Sequence, residues 1–234
     1  MNKEAFKDKY GVENVYTWSG YIDDDREAGV LKLIITISGS LNISPSYYST
    51  IAIGEGLGVY IDYNYASTEP FNVILDKPVD GFSFLGTDDF GSEYNRYKKY
   101  LPDTYNEGIG FNDFNTGAEF FKKRTDNELG HKVVSAIFKD LESALWAFGA
   151  TLKHRKDTFL RHAKEFGYRR PSEDETAYWV YVYFQGEGRA RTWLRANKGF
   201  NINNNMSDRG QVHKLAMERL ASWRYLQSKR IFSH

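Results

Sequence analysis

The stretch that most limits the fold of this 234-residue chain is a run of seven apolar and aromatic residues, 178–184, close behind an acidic cluster. Ser172 precedes Glu175 by three positions, which is the spacing of a capping box at the start of a helix. By composition the run could also be a strand, since Tyr and Val favour strands. The box and the absence of turn residues favour a helix, and a helix that is apolar on every side must be buried.

Two further helices are predicted in the first quarter of the chain. The acidic residues 23–25 suit a helix N-terminus and precede apolar residues that continue to Leu41. Ser44–Pro45 open a second, largely apolar helix that ends at the glycines around Gly54.

The rest of the chain divides into a looped segment and a helical half. Glycine, proline and asparagine interrupt residues 59–86, which predict loops, with short strands such as 72–75 left open. Asp140 caps a long helix whose basic continuation stops at Gly167, and residues 207–208 cap a last helix. The sequence thus predicts a mainly α fold with a looped central segment, in one domain over residues 23–234 behind an N-terminal extension, 1–22.

Composition excludes several classes of protein. With no cysteine, the chain has no disulfide framework, no cysteine zinc site and no thiol nucleophile. The five histidines show no metal-ligand spacing, and His154 and His162 are expected on the surface of a basic helix, so we expect neither a metal nor a cofactor. The N-terminus lacks the apolar region of a signal peptide, and no apolar stretch is long enough for a membrane span. These features predict synthesis in the cytoplasm and no membrane partner.

The charges of the chain cancel but are unevenly distributed. Its 31 basic and 31 acidic residues give a net charge of zero, which argues against nucleic acid as a partner held by overall charge. Residues 1–121 nevertheless contain 19 acidic and 9 basic residues, and the remainder is basic by the same margin. If the two halves meet at one cleft, their attraction would align them, and a basic wall could face an anionic glycan.

Glu55 is the residue that most clearly indicates chemistry. It is the only acidic residue between Glu27 and Asp62, and it follows the apolar helix that ends at Gly54. Apolar surroundings raise the pKa of a carboxyl group, and a protonated carboxyl is what a glycosidase requires as general acid. The neighbouring glycines would let a sugar chain approach the backbone. The alternative is a Glu that caps a turn or pairs with an arginine.

A second candidate region follows the aromatic run. Residues 183–189 read as a helix end, a Gly-x-Gly turn and the start of a basic helix, in which Tyr183, Gln185 and Gly186 could contact a ligand. A lone Gly-x-Gly is more often only a corner between helices, and no third glycine makes it a dinucleotide fingerprint.

These two regions resemble the lysozyme-like superfamily that includes goose-type lysozymes and soluble lytic transglycosylases. There an apolar helix ends in the catalytic Glu, as it does here at Glu55, and residues 183–189 are similar to the family's Ala-Tyr-Asn-Ala-Gly-Pro-Gly motif. Phe184 stands in place of the Asn, and Glu187 in place of the Pro. Residues 81–91 and 138–160 are similar to the version found in bacteroidete proteins near phage-tail and contractile-injection genes.

The resemblance implies cleavage of the β-1,4 bond between N-acetylmuramic acid and N-acetylglucosamine in peptidoglycan. Glu55 would protonate the leaving oxygen, and in the transglycosylase variant it would then deprotonate the muramic 6-hydroxyl. Residues 81–86 occupy the place of the family's Gly-Leu-Met-Gln motif in the chain order but lack its Gln. By its position in this segment, Ser83 is implied to bind substrate, and Tyr183 is implied to do so by its place in the second motif. In a hydrolytic variant a second acid would hold water, and the candidates are Asp62, Asp88 and Asp89.

Two kinds of protein remain open at this point. One is an active peptidoglycan glycosidase or lytic transglycosylase, associated with a phage tail or injection apparatus and delivered to the periplasm or cell wall. The other is a relative with a decayed site that serves as a structural or glycan-binding part of a virion or secretion assembly.

Overall fold

The computed structural model describes residues 2–17, 25–54, 98–103, 141–202, 210–229 and 232, and these residues are mainly helical. The helices, in chain order, are α1 (Lys3–Tyr10), α2 (Asp25–Ser40), α3 (Pro45–Gly54), α4 (Leu141–Glu165), α5 (Glu173–Phe184), α6 (Glu187–Asn197) and α7 (Gly210–Lys229), and a 3-10 turn covers Lys98–Tyr100. The prediction of a mainly α fold is confirmed. The looped segment 59–86, including the strand left open at 72–75, lies outside the described residues.

The aromatic run forms the helix at the centre of the described core. Ser172 accepts a hydrogen bond from the backbone N–H of Glu175, whose carboxylate accepts from the backbone N–H of Ser172, so the predicted capping box is present. All seven residues from Ala177 to Tyr183 are buried. This helix, α5, packs against α4 on one side and α7 on the other, which is the position its sequence requires.

The helix that precedes Glu55 is equally buried. In α3 every residue from Ser46 to Ala52 is buried, and α3 packs against α2 and α7. The hydroxyl of Tyr47 donates to the carbonyl of Ala177 at 2.7 Å, and that of Tyr48 donates to the carbonyl of Leu145 at 2.6 Å. These two bonds join α3 to α5 and α4, and they let two tyrosines enter the core with their polar ends satisfied.

The N-terminal segment contains a helix that the sequence did not predict. Its cap is Asn2, which accepts from the N–H of Ala5, and its C-terminal residue is followed by Gly11 with φ of +62°. The only buried residue of α1 is Phe6, which contributes with Val15 and Ala221 to a small apolar cluster on α7. With so few apolar residues, α1 has no periodic pattern by which it could be recognised.

Within the described ranges, none of the helices combines the length and the apolar character needed to cross a membrane.

Candidate functional site

The carbonyl end of α3 is occupied by a buried arginine from α7. Arg219 is only 2% exposed, and its Nη2 donates to the carbonyl oxygen of Gly54 at 2.9 Å. The last carbonyls of a helix have no intrahelical donor, and a cation there is favoured by the helix dipole. Arg219 therefore stabilises the end of the helix that leads directly into Glu55.

Two aromatic rings hold the Arg219 guanidinium in place. Its central carbon lies 4.3 Å from the ring centre of Tyr16 and 5.1 Å from that of Tyr181. Each such cation–π contact contributes roughly 0.5–2 kcal/mol, and the contribution increases as the cation loses water. The position of the guanidinium is thus set by three elements: the N-terminal segment, α5 and α7.

The N-terminal segment is in turn tied to α7 beside Arg219. The backbone N–H of Tyr16 donates to the hydroxyl of Ser222 at 2.7 Å, and the Tyr16 hydroxyl donates to Glu218 at 3.3 Å. The side-chain amide of Asn14 donates to the other carboxylate oxygen of Glu218 at 2.9 Å. Glu218 is itself buried, so these two donors satisfy a carboxylate that would be costly without them.

Gly54 is required by the approach of this arginine. A Cβ at position 54 would lie 2.2 Å from Cζ of Arg219 and 2.4 Å from its Nε, well inside van der Waals contact. From the sequence, the glycines around Glu55 were expected to let a sugar approach the backbone. In the structure, Gly54 gives room to a protein side chain.

The Gly-x-Gly corner has the predicted local structure. The helix α5 ends at Phe184 and α6 begins at Glu187, with Gly186 between them at φ of +145°, a value that favours glycine. The side-chain amide of Gln185 donates to the hydroxyl of Tyr181 at 3.0 Å. Gln185 is therefore hydrogen-bonded to Tyr181, whose ring contacts the Arg219 guanidinium.

Tyr183 lies on the other side of α5, in the contact with α4. It is fully buried, and its hydroxyl shares a hydrogen bond of 2.9 Å with Nδ1 of His162. Burial raises the pKa of the Tyr183 hydroxyl well above its usual range. Burial also lowers the pKa of His162, and the nearby Arg161 and Arg191 lower it further.

The expectation that His154 and His162 are surface residues was wrong. His162 is 3% exposed, and the side chain of His154 is 13% exposed. The basic residues around them suggested a solvated helix, but α4 is long enough to present a buried face that includes Phe159 and His162. Burial of a helix face depends on what packs against it, which a basic local composition does not reveal.

Tyr181 rather than Tyr183 faces the end of α3. The two residues are two positions apart, so their side chains point roughly 200° apart around a helix. Tyr181 contacts Arg219, and Tyr183 contacts His162. The sequence indicated Tyr183 but not Tyr181, Tyr16 or Arg219. The only local sign was a second tyrosine two positions before Tyr183, which a helix places on its opposite face.

Glu187, the first residue of α6, has a structural role at the corner. Its carboxylate accepts from Nη1 of Arg155 at 2.9 Å and lies 3.6 Å from Nε2 of His154. Arg155 is 4% exposed, so the carboxylate compensates a buried charge. The ion pair fastens the first turn of α6 to α4.

The remaining predicted site residues lie outside the described part of the chain: Glu55, Asp62, Ser83, Asp88 and Asp89. Their roles stay predictions. Among the residues that the structure describes, no group of three His, Asp or Glu side chains is placed to hold a metal ion.

Comparison of the chain with protein-family models, curated proteins and solved structures finds no match.

Proposed function

We propose that this protein is a lysozyme-like enzyme that cleaves the β-1,4 bond between N-acetylmuramic acid and N-acetylglucosamine in peptidoglycan. Glu55 is the general acid that protonates the leaving oxygen. In a transglycosylase it then serves as base toward the muramic 6-hydroxyl, and in a hydrolase a second acid, Asp62, Asp88 or Asp89, holds the attacking water. The glycan strands are the substrate, and a phage tail or injection apparatus delivers the enzyme to the periplasm or cell wall.

The observation that carries the proposal is the construction of the helix before Glu55. Seven consecutive residues of α3 are buried, and its last carbonyl is held by an arginine fixed between two rings. A general acid has to be held in a defined geometry, and a packed helix holds one more precisely than a loop does. The residue before Glu55 is thus the end of a buried helix whose last carbonyl is held by Arg219.

A specific observation also favours the second candidate, a lysozyme-like protein that binds glycan or serves as a structural component without cleaving. Arg219 lies against the residue that precedes Glu55. A cation close to a carboxyl group favours the ionised form, whereas a general acid must carry a proton. If Glu55 pairs with Arg219, the arrangement is a structural ion pair.

The test is the release of muropeptides from purified, insoluble peptidoglycan, followed by mass spectrometry. We compare the wild type with Glu55→Gln and with Glu142→Gln, a control that removes an exposed carboxylate from α4. Loss of a general acid lowers turnover by about a hundredfold or more. We therefore expect release by the wild type and the control, and loss of release in Glu55→Gln. The products distinguish anhydro ends, formed by a transglycosylase, from reducing ends, formed by hydrolysis.

Two results would reject the enzyme or its acid. If folded wild type releases nothing but sediments with the insoluble glycan, the binding protein is the correct candidate. If Glu55→Gln releases as much as the wild type, cleavage occurs without Glu55 and the assignment of the acid is wrong.

A further inference from the structure

The N-terminal segment, residues 2–17, is attached to α7 by both apolar and polar contacts. Helix α1 packs against α7, and the ring of Phe6 meets that of Tyr225 edge to face at 5.5 Å. Beside the hydrogen bonds already described, the carboxylate of Glu13 pairs with Lys214 of α7 at 2.6 Å. Separating the segment from α7 would therefore leave the packing of α3 against α2, and of α5 against α4, in place.

Little apolar surface holds this segment on α7. Of its residues, only Phe6 and Val15 are buried, and the others are half-buried or exposed. The eight-residue α1 is too short to be a stable helix in water by itself, so it folds only when it is docked. Elements with few buried apolar contacts are those that open locally while the rest of a protein stays folded. The segment therefore has the properties of a unit that detaches from the folded core.

Tyr16 connects this segment to the end of α3. Its ring lies 4.3 Å from the central carbon of Arg219, whose Nη2 donates to the carbonyl of Gly54. Detachment of the segment removes this ring and leaves the guanidinium with the ring of Tyr181. A cation–π contact with a desolvated cation contributes more than one in water, so its loss weakens the hold on the Gly54 carbonyl.

Glu218 adds a second consequence of detachment at the same place. Its buried carboxylate accepts from the side chains of Asn14 and Tyr16, both of which belong to the segment. A buried carboxylate without donors is unfavourable, so water has to replace them when the segment leaves. The residue next to Arg219 in the chain thus becomes hydrated in the detached state.

We propose that residues 2–17 form a latch that controls the order of the α3 end, with Tyr16 as a positioning residue that acts through Arg219. With the latch docked, Arg219 holds the Gly54 carbonyl and the last turn of α3 is fixed. With the latch detached, this turn loosens while the core stays folded. The effect on cleavage rests on the proposed function, because this turn leads into Glu55, and the docked form is the active one.

The experiment measures the exchange of backbone amide hydrogens for deuterium in the full chain, by mass spectrometry. Three regions are compared: the latch, residues 51–54 at the end of α3, and residues 153–165 of α4 as a reference. Phe6→Ala removes the main apolar contact of the latch and keeps Tyr16. Asp8→Asn changes an exposed residue of α1 and is the matched control.

Two substitutions of Tyr16 test its positioning role directly. Tyr16→Leu removes the ring, whereas Tyr16→Phe keeps the ring against Arg219 and loses only the hydroxyl contact with Glu218. A merely apolar role would be kept by leucine, so retention of the effect by phenylalanine alone identifies the aromatic contact with the cation.

We expect Phe6→Ala to accelerate exchange about tenfold or more in the latch and about three- to tenfold in residues 51–54, with no change in the α4 reference. Loss of one cation–π contact corresponds to a factor of this size. Tyr16→Leu should accelerate exchange in residues 51–54 similarly, and Tyr16→Phe and Asp8→Asn should resemble the wild type. Release of muropeptides should fall by the same factor in Phe6→Ala and Tyr16→Leu.

Several results would overturn the latch. One is exchange in Phe6→Ala that is unchanged everywhere, or accelerated in the latch and not in residues 51–54. Another is equal acceleration in the α4 reference, which would show global unfolding. A third is a Tyr16→Phe that behaves like Tyr16→Leu, and a fourth is unchanged release by Phe6→Ala when the wild type is active. A wild type that releases nothing rejects the proposed function alone, because the exchange measurements still decide whether the latch controls α3.

Discussion

Replacing Gly54 by alanine places a methyl group where the Arg219 guanidinium lies. The new Cβ would be 2.2 Å from Cζ of Arg219, 2.4 Å from Nε and 2.6 Å from Nη1. A flexible arginine on the surface would move aside at little cost. Here the side chain is buried, hydrogen-bonded to Gly54 and placed against the rings of Tyr16 and Tyr181, so moving it breaks contacts that nothing replaces.

The cost can be estimated from these contacts. Loss of the bond from the Arg219 cation to the Gly54 carbonyl costs about 2 kcal/mol, and weakening of the two cation–π contacts costs roughly 1 kcal/mol more. Alanine returns up to about 1 kcal/mol through its helix propensity. We therefore expect Gly54→Ala to lower the free energy of unfolding by about 2 kcal/mol.

The assay is urea unfolding followed by tryptophan fluorescence, in which this loss lowers the midpoint by about 1 M. Gly39→Ala is the matched control, because Gly39 lies in the last turn of α2 and a Cβ there would meet no atom within 4 Å. We expect Gly39→Ala to be neutral or stabilising.

A double variant separates the contact with Arg219 from any general effect of the methyl group. In an Arg219→Met background the guanidinium is absent, so the additional cost of Gly54→Ala should largely disappear. The reasoning is refuted if Gly54→Ala is as stable as Gly39→Ala, or if its cost is the same in both backgrounds.

Two further predictions concern α4. The pKa of His162 is held below its usual 6.5 in the folded protein, so the unfolded chain binds a proton first as pH falls, and the free energy of unfolding should decrease below about pH 6.5. As pH is lowered from about 7.5 to about 5, the urea midpoint should therefore decrease more in the wild type than in His162→Gln, and identical profiles would contradict a lowered His162 pKa. Gly149→Ala would bring a Cβ within 2.7 Å of Leu41 and 3.0 Å of Tyr48, and we expect overpacking to cost about 1–3 kcal/mol in the same assay, against no loss in Gly39→Ala.

The helices were predictable where the sequence contains both a cap and a long apolar pattern. The Ser172 box fixed the start of α5, and glycine or proline marked the limits of α3 and the end of α4. These signals are local, so they can be read without knowledge of the tertiary structure. In α1 the cap at Asn2 and the stop at Gly11 are present, but a single buried Phe6 gives no periodicity between them.

The polar groups of the candidate site were not predictable in the same way. Arg155, Arg219 and Glu218 are buried because a partner from a distant part of the chain satisfies each of them, and no local pattern identifies such a partner. The choice between Tyr181 and Tyr183 depended on which side of α5 faces α3. The resemblance could indicate a tyrosine near residue 183, but a difference of two positions places the side chain on the opposite face of a helix.

Because α1 packs on α7, the N-terminal segment can form these contacts only after the last helix has been synthesised. The partners of the N-terminal segment, such as Ser222 and Glu218, follow it by more than 200 residues. At the usual rate of translation, a ribosome needs roughly 10–40 s to make the intervening chain. The first helix to be synthesised therefore remains without its packing partner, α7, for this whole period. Because Tyr16 is one of the two rings that hold Arg219, the support of the α3 end is completed only after α7 has been made.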